Sequence, residues 1–259
     1  MKAIVKQCNY VWRLIATAFS FIIFGLGGFL LWLIVFPLLN LISTNKQTRI
    51  IRSQRYIQAI FYLFIGLMHR LGIMSYDIKG LEKLNRPGQL IIANHPTLID
   101  IVFLISRMPA TYCIVKDKLL NNPFTKASIL NAGYISNADP QQMIEESVIK
   151  LQAGGKVIIF PEGSRTVQGQ PYKFQRSAAH IALQANTCLT PVTINCFPNT
   201  LSKQQKWYQI PHQAFHLSIQ VGNDIVLDDF LTIEPRSIAV RRLNRYLESY
   251  FSQQRECNS

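Results

Sequence analysis

The chain has 259 residues, of which 49% are hydrophobic, and a formal net charge of +13 at pH 7. It is too apolar for an ordinary soluble domain and too charged for a polytopic membrane protein, and its length allows one generous domain with an appendage. The charge fits anionic lipid, an acidic protein or nucleic acid, but no nucleic-acid-binding motif is present, so we expect no nucleic-acid partner. Five scattered cysteines without a CxxC pair predict free thiols in a reducing compartment and no metal site.

The N-terminal region, residues 1–75, is predicted to consist of membrane-embedded or interfacial helices. No charged residue occurs between positions 14 and 45, whereas a helix needs only about 20 apolar residues to cross a bilayer. A second apolar stretch covers residues 56–74, and basic residues flank both stretches. A secretory signal peptide would have a shorter apolar region followed by small residues at a cleavage site, so we do not expect this stretch to be a cleaved signal peptide. Two interpretations remain: a hairpin that enters one leaflet, or a single-pass anchor followed by a core helix.

From residue 76 to residue 259, short apolar runs alternate with helical patterns. The predicted strands cover residues 89–93, 111–115, 156–160, 190–196 and 215–222. The clearest helix follows Asp139, a good N-cap, and stops at Gly154, and two more helices are predicted over 174–186 and 235–254. This rhythm predicts an α/β domain with a mostly parallel sheet flanked by helices, whose functional groups lie beyond the carboxyl ends of the strands.

The stretch NHPTLID, residues 94–100, follows a predicted buried strand. If Thr97 caps the next helix, the turn can bring His95 back towards Asp100. An aspartate that accepts a hydrogen bond from one ring nitrogen fixes the histidine tautomer, so that the other nitrogen can act as a general base. By themselves, a histidine and an aspartate in a loop more often form only a structural hydrogen-bonded pair. Since no G-x-S-x-G elbow is present, such a base would activate a substrate hydroxyl directly.

A second cluster, FPEGSRT at residues 160–166, follows another predicted strand. Arg165 offers a planar, bidentate donor suited to a phosphate group, and Gly163 lets backbone N–H groups approach an anion. Glu162 would orient Arg165 or bind a substrate hydroxyl, and Ser164 lies in the same turn. Alone, the cluster could be a tight surface turn. Together with the histidine–aspartate pair, it predicts a site for a lipid hydroxyl that carries a phosphate nearby.

The two clusters resemble the N-H-x4-D and F-P-E-G-[ST]-R motifs of the glycerolipid acyltransferase family, typified by 1-acyl-glycerol-3-phosphate acyltransferases. Two weaker blocks agree with this resemblance: KDKLLNNPF at residues 116–124 and CLTPVTI at residues 188–194. The order and spacing of the motifs extend the resemblance over about residues 76–225.

The resemblance implies that His95 deprotonates the hydroxyl of a lysophospholipid, 1-acyl-glycerol-3-phosphate in the first place, which then attacks an acyl thioester directly. Asp100 would orient His95. The implied substrate-binding residues are Glu162, Gly163, Ser164, Arg165 and Lys116. The acyl group would come from coenzyme A or acyl-carrier protein as co-substrate, with no metal and no other cofactor. The implied location is a membrane, taken as the bacterial inner membrane with the catalytic domain on the cytoplasmic side, and the anionic bilayer is an expected partner.

The chain departs from the family pattern at three positions. Asn137 stands near a position that is often arginine, and Gln175 and Ser177 stand at the lysine and glycine positions of an F-K-x-G-A block; Lys173 or Arg176 is expected to replace the lost cation. The departures leave open a non-glycerol acceptor, such as an ornithine-type lipid or a pigment-lipid carrier. A hydrolase and a non-catalytic lipid-binding protein are the rival interpretations. The segment 197–211 has no assigned role.

Overall fold

The computed structural model describes residues 2–166 and 169–257. Its helices are α1 (Lys2–Leu30), which continues through a π-helical stretch (Leu31–Val35) into α2 (Phe36–Ile42), then α3 (Lys46–Arg70), α4 (Asp100–Arg107), α5 (Pro123–Asn131), α6 (Pro140–Gln152), α7 (Ser177–Ala185), α8 (Asp228–Leu231) and α9 (Arg236–Cys257). Its strands are β1 (Met74–Lys79), β2 (Leu90–Ala93), β3 (Thr111–Val115), β4 (Ile135–Ser136), β5 (Lys156–Ile159), β6 (Leu189–Phe197) and β7 (Phe215–Val221). Short 3-10 turns cover Leu81–Leu84 and Asp117–Asn121.

The seven strands form one sheet in the order β1-β7-β6-β2-β5-β3-β4. Every neighbouring pair is parallel except β6 and β7. The prediction of a mostly parallel sheet flanked by helices is therefore confirmed, and all five predicted strands are present. Sequence reasoning missed β1, which begins two residues before the predicted domain boundary, and the two-residue β4.

The sheet is buried on both faces. In β2, successive side chains point to opposite faces, so that Ile91 contacts the core beneath α1, α3 and α4, while Leu90 and Ile92 contact the core beneath α6, α7 and α9. All three are fully buried. This explains why the sequence of β2 is a continuous apolar run, as expected for a parallel strand covered on both sides.

The predicted start of α6 is confirmed. The Asp139 carboxylate accepts hydrogen bonds from the backbone N–H groups of Gln141 (2.8 Å) and Gln142 (3.3 Å). Asn45 caps α3 in the same way, through Gln47 and Thr48. These caps satisfy donors that have no partner within the helix.

The N-terminal helices form an antiparallel hairpin against the sheet. Phe24 contacts Phe61, with ring centroids 5.6 Å apart, and Arg52 donates to the Ser43 hydroxyl at the turn. Among the described residues, one continuous helical stretch, Ile4–Ile42, is long and apolar enough to cross a membrane. Its outward face exposes large apolar side chains, including Ile15, Phe19, Ile22, Leu26, Leu33 and Leu41. Cys8, Cys113, Cys188 and Cys196 are free thiols, and the side chain of Cys257 lies outside the described residues.

Candidate active site

The two motif loops meet because their strands are neighbours. Strand β2 lies parallel to β5, with Ile92 opposite Ile159. His95 follows the end of β2 and the PEGSR turn follows the end of β5. The carboxyl ends of parallel strands lie at the same edge of a sheet, which is where open α/β folds bind their ligands. The sheet order, and not the distance along the chain, thus brings the two clusters together.

His95 and Asp100 form the predicted pair. The Nδ1 atom of His95 lies 2.8 Å from Oδ2 of Asp100, whose side chain is fully buried, while the His95 side chain is 19% exposed. The same carboxylate accepts hydrogen bonds from the backbone N–H of Thr97 (2.7 Å) and from the Thr97 hydroxyl. The expectation that Thr97 caps the following helix is wrong, because α4 begins only at Asp100 and Ile99 precedes it without a side-chain cap. Thr97 instead fixes the carboxylate that holds His95.

The imidazole of His95 has a defined orientation. It stacks on the ring of Phe160, with centroids 4.4 Å apart and an interplanar angle of 28°. Because an ionised carboxylate only accepts hydrogen bonds, Nδ1 carries the proton and Nε2 is left as the basic nitrogen. His95 also lines a cavity at this edge of the sheet. The arrangement can therefore remove a proton from a hydroxyl that enters the cavity.

Glu162 braces the two loops. Its Oε1 atom accepts hydrogen bonds from the backbone N–H of His95 (3.0 Å) and from the Thr166 hydroxyl (2.8 Å), while the Thr166 N–H donates to the His95 carbonyl oxygen (2.7 Å). The predicted contact between Glu162 and Arg165 is not among the contacts of the described residues. Glu162 fixes the backbone at His95 and so acts on the geometry of the base.

Glu162 also makes the stability of the protein depend on pH. Burial raises the pKa of its carboxyl group, against the opposing effect of the hydrogen bonds from Thr166 and His95. The folded protein then binds this proton more tightly than the unfolded chain, so the contribution of Glu162 to the free energy of unfolding falls as the pH rises above the ordinary glutamate pKa. Glu162→Gln keeps an oxygen acceptor but cannot ionise. Thermal melts should show equal stability at about pH 4 and a more stable variant at about pH 7; identical pH dependence of the two proteins would contradict this.

Arg165 lies on the wall of the same cavity. Its Nη1 atom donates to the carbonyl oxygens of Leu201 and Ser202, both at 2.7 Å. The remaining N–H groups, on Nε and Nη2, can therefore serve an anion. Two positions before Arg165, Gly163 has a φ of +64°. A Cβ atom at this position would lie 2.6 Å from the side-chain amide nitrogen of Gln175. The left-handed backbone conformation favours glycine at this position.

The cavity has a volume of about 360 Å³. Lys116, Gly163, Ser164 and Arg165 line it together with His95, as do Asn137, Gln175 and Ser177 at the three departures from the family pattern. Lys173 and Arg176, expected to replace a lost cation, do not line it. Sequence reasoning also missed Lys118, which does. Lys118 lies two positions after Lys116 in the same KDKLLNNPF block, and this proximity could have indicated that both lysines reach the site.

A larger apolar cavity, of about 700 Å³, adjoins this one. Its walls come from α1, α3, α4 and α5, and it shares Leu98, Ile101, Cys113, Val115 and Leu119 with the smaller cavity. Burial raises the pKa of the Cys113 thiol to about 12, so this cysteine remains protonated and is a poor nucleophile. The cavity that contains His95 thus shares part of its wall with a cavity suited to a hydrocarbon chain. Within the described residues, no group of three or more histidine, cysteine, aspartate or glutamate side chains could hold a metal ion.

Comparisons with known proteins agree on one class of enzyme. Residues 75–195 match the model of the family described as Acyltransferase. The chain is 26% identical to the 1-acyl-sn-glycerol-3-phosphate acyltransferase of Pseudomonas aeruginosa over 189 residues, which cover 70% of this chain and 68% of that protein. It is 24% identical to the enzyme of the same name from Helicobacter pylori over 157 residues, which cover 58% of this chain and 62% of that protein.

The fold is similar to that of the crystal structure of the 1-acyl-sn-glycerophosphate acyltransferase PlsC from Thermotoga maritima. The TM-score is 0.69 at 17% sequence identity, and the alignment covers 97% of this chain and 96% of that chain. The family match and the named relatives identify the class as an acyltransferase, and the histidine–aspartate pair lies within the matched residues. The resemblance to the glycerolipid acyltransferase family seen in the motifs is confirmed by the family match over residues 75–195 and by these relatives.

Proposed function

We propose that the protein transfers a fatty acyl group from an acyl thioester to the free hydroxyl of a lysophospholipid, 1-acyl-glycerol-3-phosphate in the first place, as a step of membrane phospholipid synthesis. The observation that carries this proposal is the position of the His95–Asp100 pair. His95 lines the same cavity as Arg165, and this cavity shares part of its wall with the larger apolar cavity. The names of the relatives support the same acceptor.

The proposed reaction is direct acyl transfer. Nε2 of His95 removes the hydroxyl proton as the oxygen attacks the thioester carbonyl carbon, so that a C–O bond forms and the C–S bond breaks. The imidazolium then returns the proton to the departing thiolate. Asp100 stabilises the imidazolium through its hydrogen bond to Nδ1. Among the residues near His95, the protonated Cys113 is unsuited to form an acyl-enzyme.

Arg165 is proposed to bind the phosphate of the acceptor through its Nε and Nη2 groups. Lys116 and Lys118 line the same cavity and are proposed to attract the phosphate groups of the acyl donor, which is coenzyme A or acyl-carrier protein. Asn137 supplies no charge, and its Oδ1 accepts a hydrogen bond from the Asp117 N–H (3.0 Å). The site therefore holds fewer cations than the family pattern implies.

The apolar cavity is proposed to hold the acyl chain of the donor. Gly28 of α1 lies on its wall, and a Cβ built there meets no atom within 4 Å. Gly28→Leu should fill part of the cavity and lower kcat/KM for long-chain relative to short-chain acyl donors by about tenfold. Gly66→Leu is the matched control, because Gly66 is also a helical glycine with open space but does not line this cavity. An unchanged chain-length profile in the Gly28 variant would contradict the assignment.

The exposed apolar face of α1 is proposed to enter one leaflet of the membrane on the cytoplasmic side. Trp12 of α1 donates to the Leu71 carbonyl oxygen, and Trp32 in the following π-helical stretch contacts Phe124. Between these two residues the continuous helical stretch packs along the rest of the protein for about 30 Å. That length matches the hydrocarbon thickness of a bilayer. If this helical stretch crossed the bilayer, the part of the domain packed along it would also be carried into hydrocarbon, where exposed polar groups are costly. The contacts therefore favour interfacial insertion over a single-pass anchor.

The proposed function is tested by acyl transfer from a labelled acyl thioester to a panel of lysolipids, with purified protein in anionic micelles. Product on lysophosphatidic acid is expected, and Arg165→Gln should raise the KM for this acceptor by about tenfold. Product on another lysolipid alone would keep the mechanism and change the acceptor. Thiol release without any lipid product would indicate a hydrolase, and no reaction at all would favour a non-catalytic lipid-binding protein.

A further inference from the structure

Arg13 is a buried cation in an otherwise apolar part of α1. It is only 7% exposed. Its Nη1 atom donates to the carbonyl oxygen of Pro211 (3.1 Å), and its Nη2 atom donates to that of His212. No ion pair is recorded for it within the part of the chain that the structure describes. A buried charge is costly unless its donors are satisfied, and the two carbonyl groups accept one hydrogen bond from each Nη atom of Arg13.

The two carbonyl groups belong to the loop between β6 and β7, residues 198–214, which we call the acceptor loop. Trp207 in its middle contacts Phe21 of α1, with ring centroids 6.0 Å apart, and the His212 ring contacts Tyr10 at 5.4 Å. Residues 10 to 21 of α1 therefore hold the distal part of the loop. The acceptor loop includes most of residues 197–211, the stretch to which the sequence analysis assigned no role.

The near end of the acceptor loop contacts the active site. The Leu201 carbonyl oxygen accepts hydrogen bonds from the Leu98 N–H (3.0 Å), in the loop that carries His95, and from Nη1 of Arg165 (2.7 Å). The Ser202 carbonyl oxygen accepts a second hydrogen bond from the same Nη1 atom. Leu201 is 5% exposed and has φ +52°, a left-handed conformation that an L-residue adopts only when its surroundings hold it there.

We propose that Arg13 is a positioning residue for the acceptor site. By holding the distal end of the acceptor loop on α1, it keeps the Leu201 and Ser202 carbonyl groups where they fix one arm of the Arg165 guanidinium. The other N–H groups of Arg165 are then oriented towards the acceptor phosphate. This inference rests on the proposed role of Arg165. It predicts that Arg13, which does not line the catalytic cavity, controls acceptor binding but not donor binding.

The kinetic test uses Arg13→Met and Arg13→Lys beside Trp12→Phe. Trp12 is the matched control, because it also ties α1 to the protein, through the Leu71 carbonyl oxygen (3.1 Å), but among the described residues it makes no hydrogen bond or ring contact with the acceptor loop. We expect Arg13→Met to raise the acceptor KM by about tenfold, with the donor KM and kcat within about twofold of wild type. Arg13→Lys should be intermediate, because it keeps the charge but not the two-armed geometry. Trp12→Phe should leave the acceptor KM unchanged.

A second readout follows the loop itself. Hydrogen exchange at the Leu98 amide and across residues 198–214 should be faster in Arg13→Met than in wild type or Trp12→Phe. Equal increases in donor and acceptor KM, an unchanged acceptor KM, or unchanged exchange at Leu98 would each overturn the proposal. If Arg13→Met does not fold, Arg13→Lys decides by the same criteria. If Arg165→Gln itself leaves the acceptor KM unchanged, the proposed role of Arg165 fails, whereas the exchange measurement still decides whether Arg13 holds the loop.

Discussion

Replacing His95 with alanine is expected to lower kcat for acyl transfer by at least about 10³-fold, because the acceptor hydroxyl loses the base that removes its proton. The KM for the acceptor should change little, since Arg165 and the cavity walls remain. The fold should persist, because Asp100 keeps both hydrogen bonds from Thr97. The measurement is transfer from a labelled acyl thioester to lysophosphatidic acid under saturating conditions.

His95→Gln is the matched variant. Its amide N–H can still donate to Asp100, but glutamine has no group that binds a proton near neutral pH. It should be as inactive as the alanine variant, with thermal stability closer to that of wild type. Retention of more than about a tenth of wild-type kcat in either variant would remove His95 as the base, because general-base catalysis contributes at least about 10²-fold.

Asp100→Asn is expected to lower kcat by about 10²-fold while the protein stays folded. Oδ2 of Asp100 accepts from two fixed donors, Nδ1 of His95 and the Thr97 N–H, whereas Oδ1 faces the Thr97 hydroxyl, which can rotate. Asparagine can therefore place its oxygen at the Oδ2 position and donate its amide to the hydroxyl oxygen. The histidine tautomer is preserved, and the loss in kcat reports the missing negative charge beside the imidazolium.

Asp100→Ala separates this charge effect from a structural one. It leaves the Thr97 and His95 donors at a fully buried position without acceptors, which should lower the free energy of unfolding by about 2–4 kcal/mol, measured by chemical denaturation.

In the double variant with His95→Ala, Asp100→Asn should cause almost no further loss of kcat, because the two residues act as a unit. Full additivity of the two losses would show that Asp100 does not act through His95.

The amino-acid sequence determined the local structure of this protein. Apolar runs predicted five of the seven strands, Asp139 marked the start of α6, and the NHPTLID and FPEGSRT stretches marked both site loops. These features depend on side-chain periodicity, cap residues and glycine at positive φ, which act over a few neighbouring residues. The edge strands β1 and β4 lacked such a signal, because one is polar and partly exposed and the other has only two residues.

The His95–Asp100 contact was predicted from the sequence, but only the tertiary structure decided the distant contacts of the other site residues. Glu162 bonds the His95 backbone 67 positions away, and Arg165 bonds a carbonyl group 36 positions away. Arg13 reaches a loop 198 positions away. The apolar cavity likewise requires α1, α3, α4 and α5 to meet above the sheet. Contacts at such separations depend on strand order and on helix packing across the whole sheet, and no local sequence pattern encodes them.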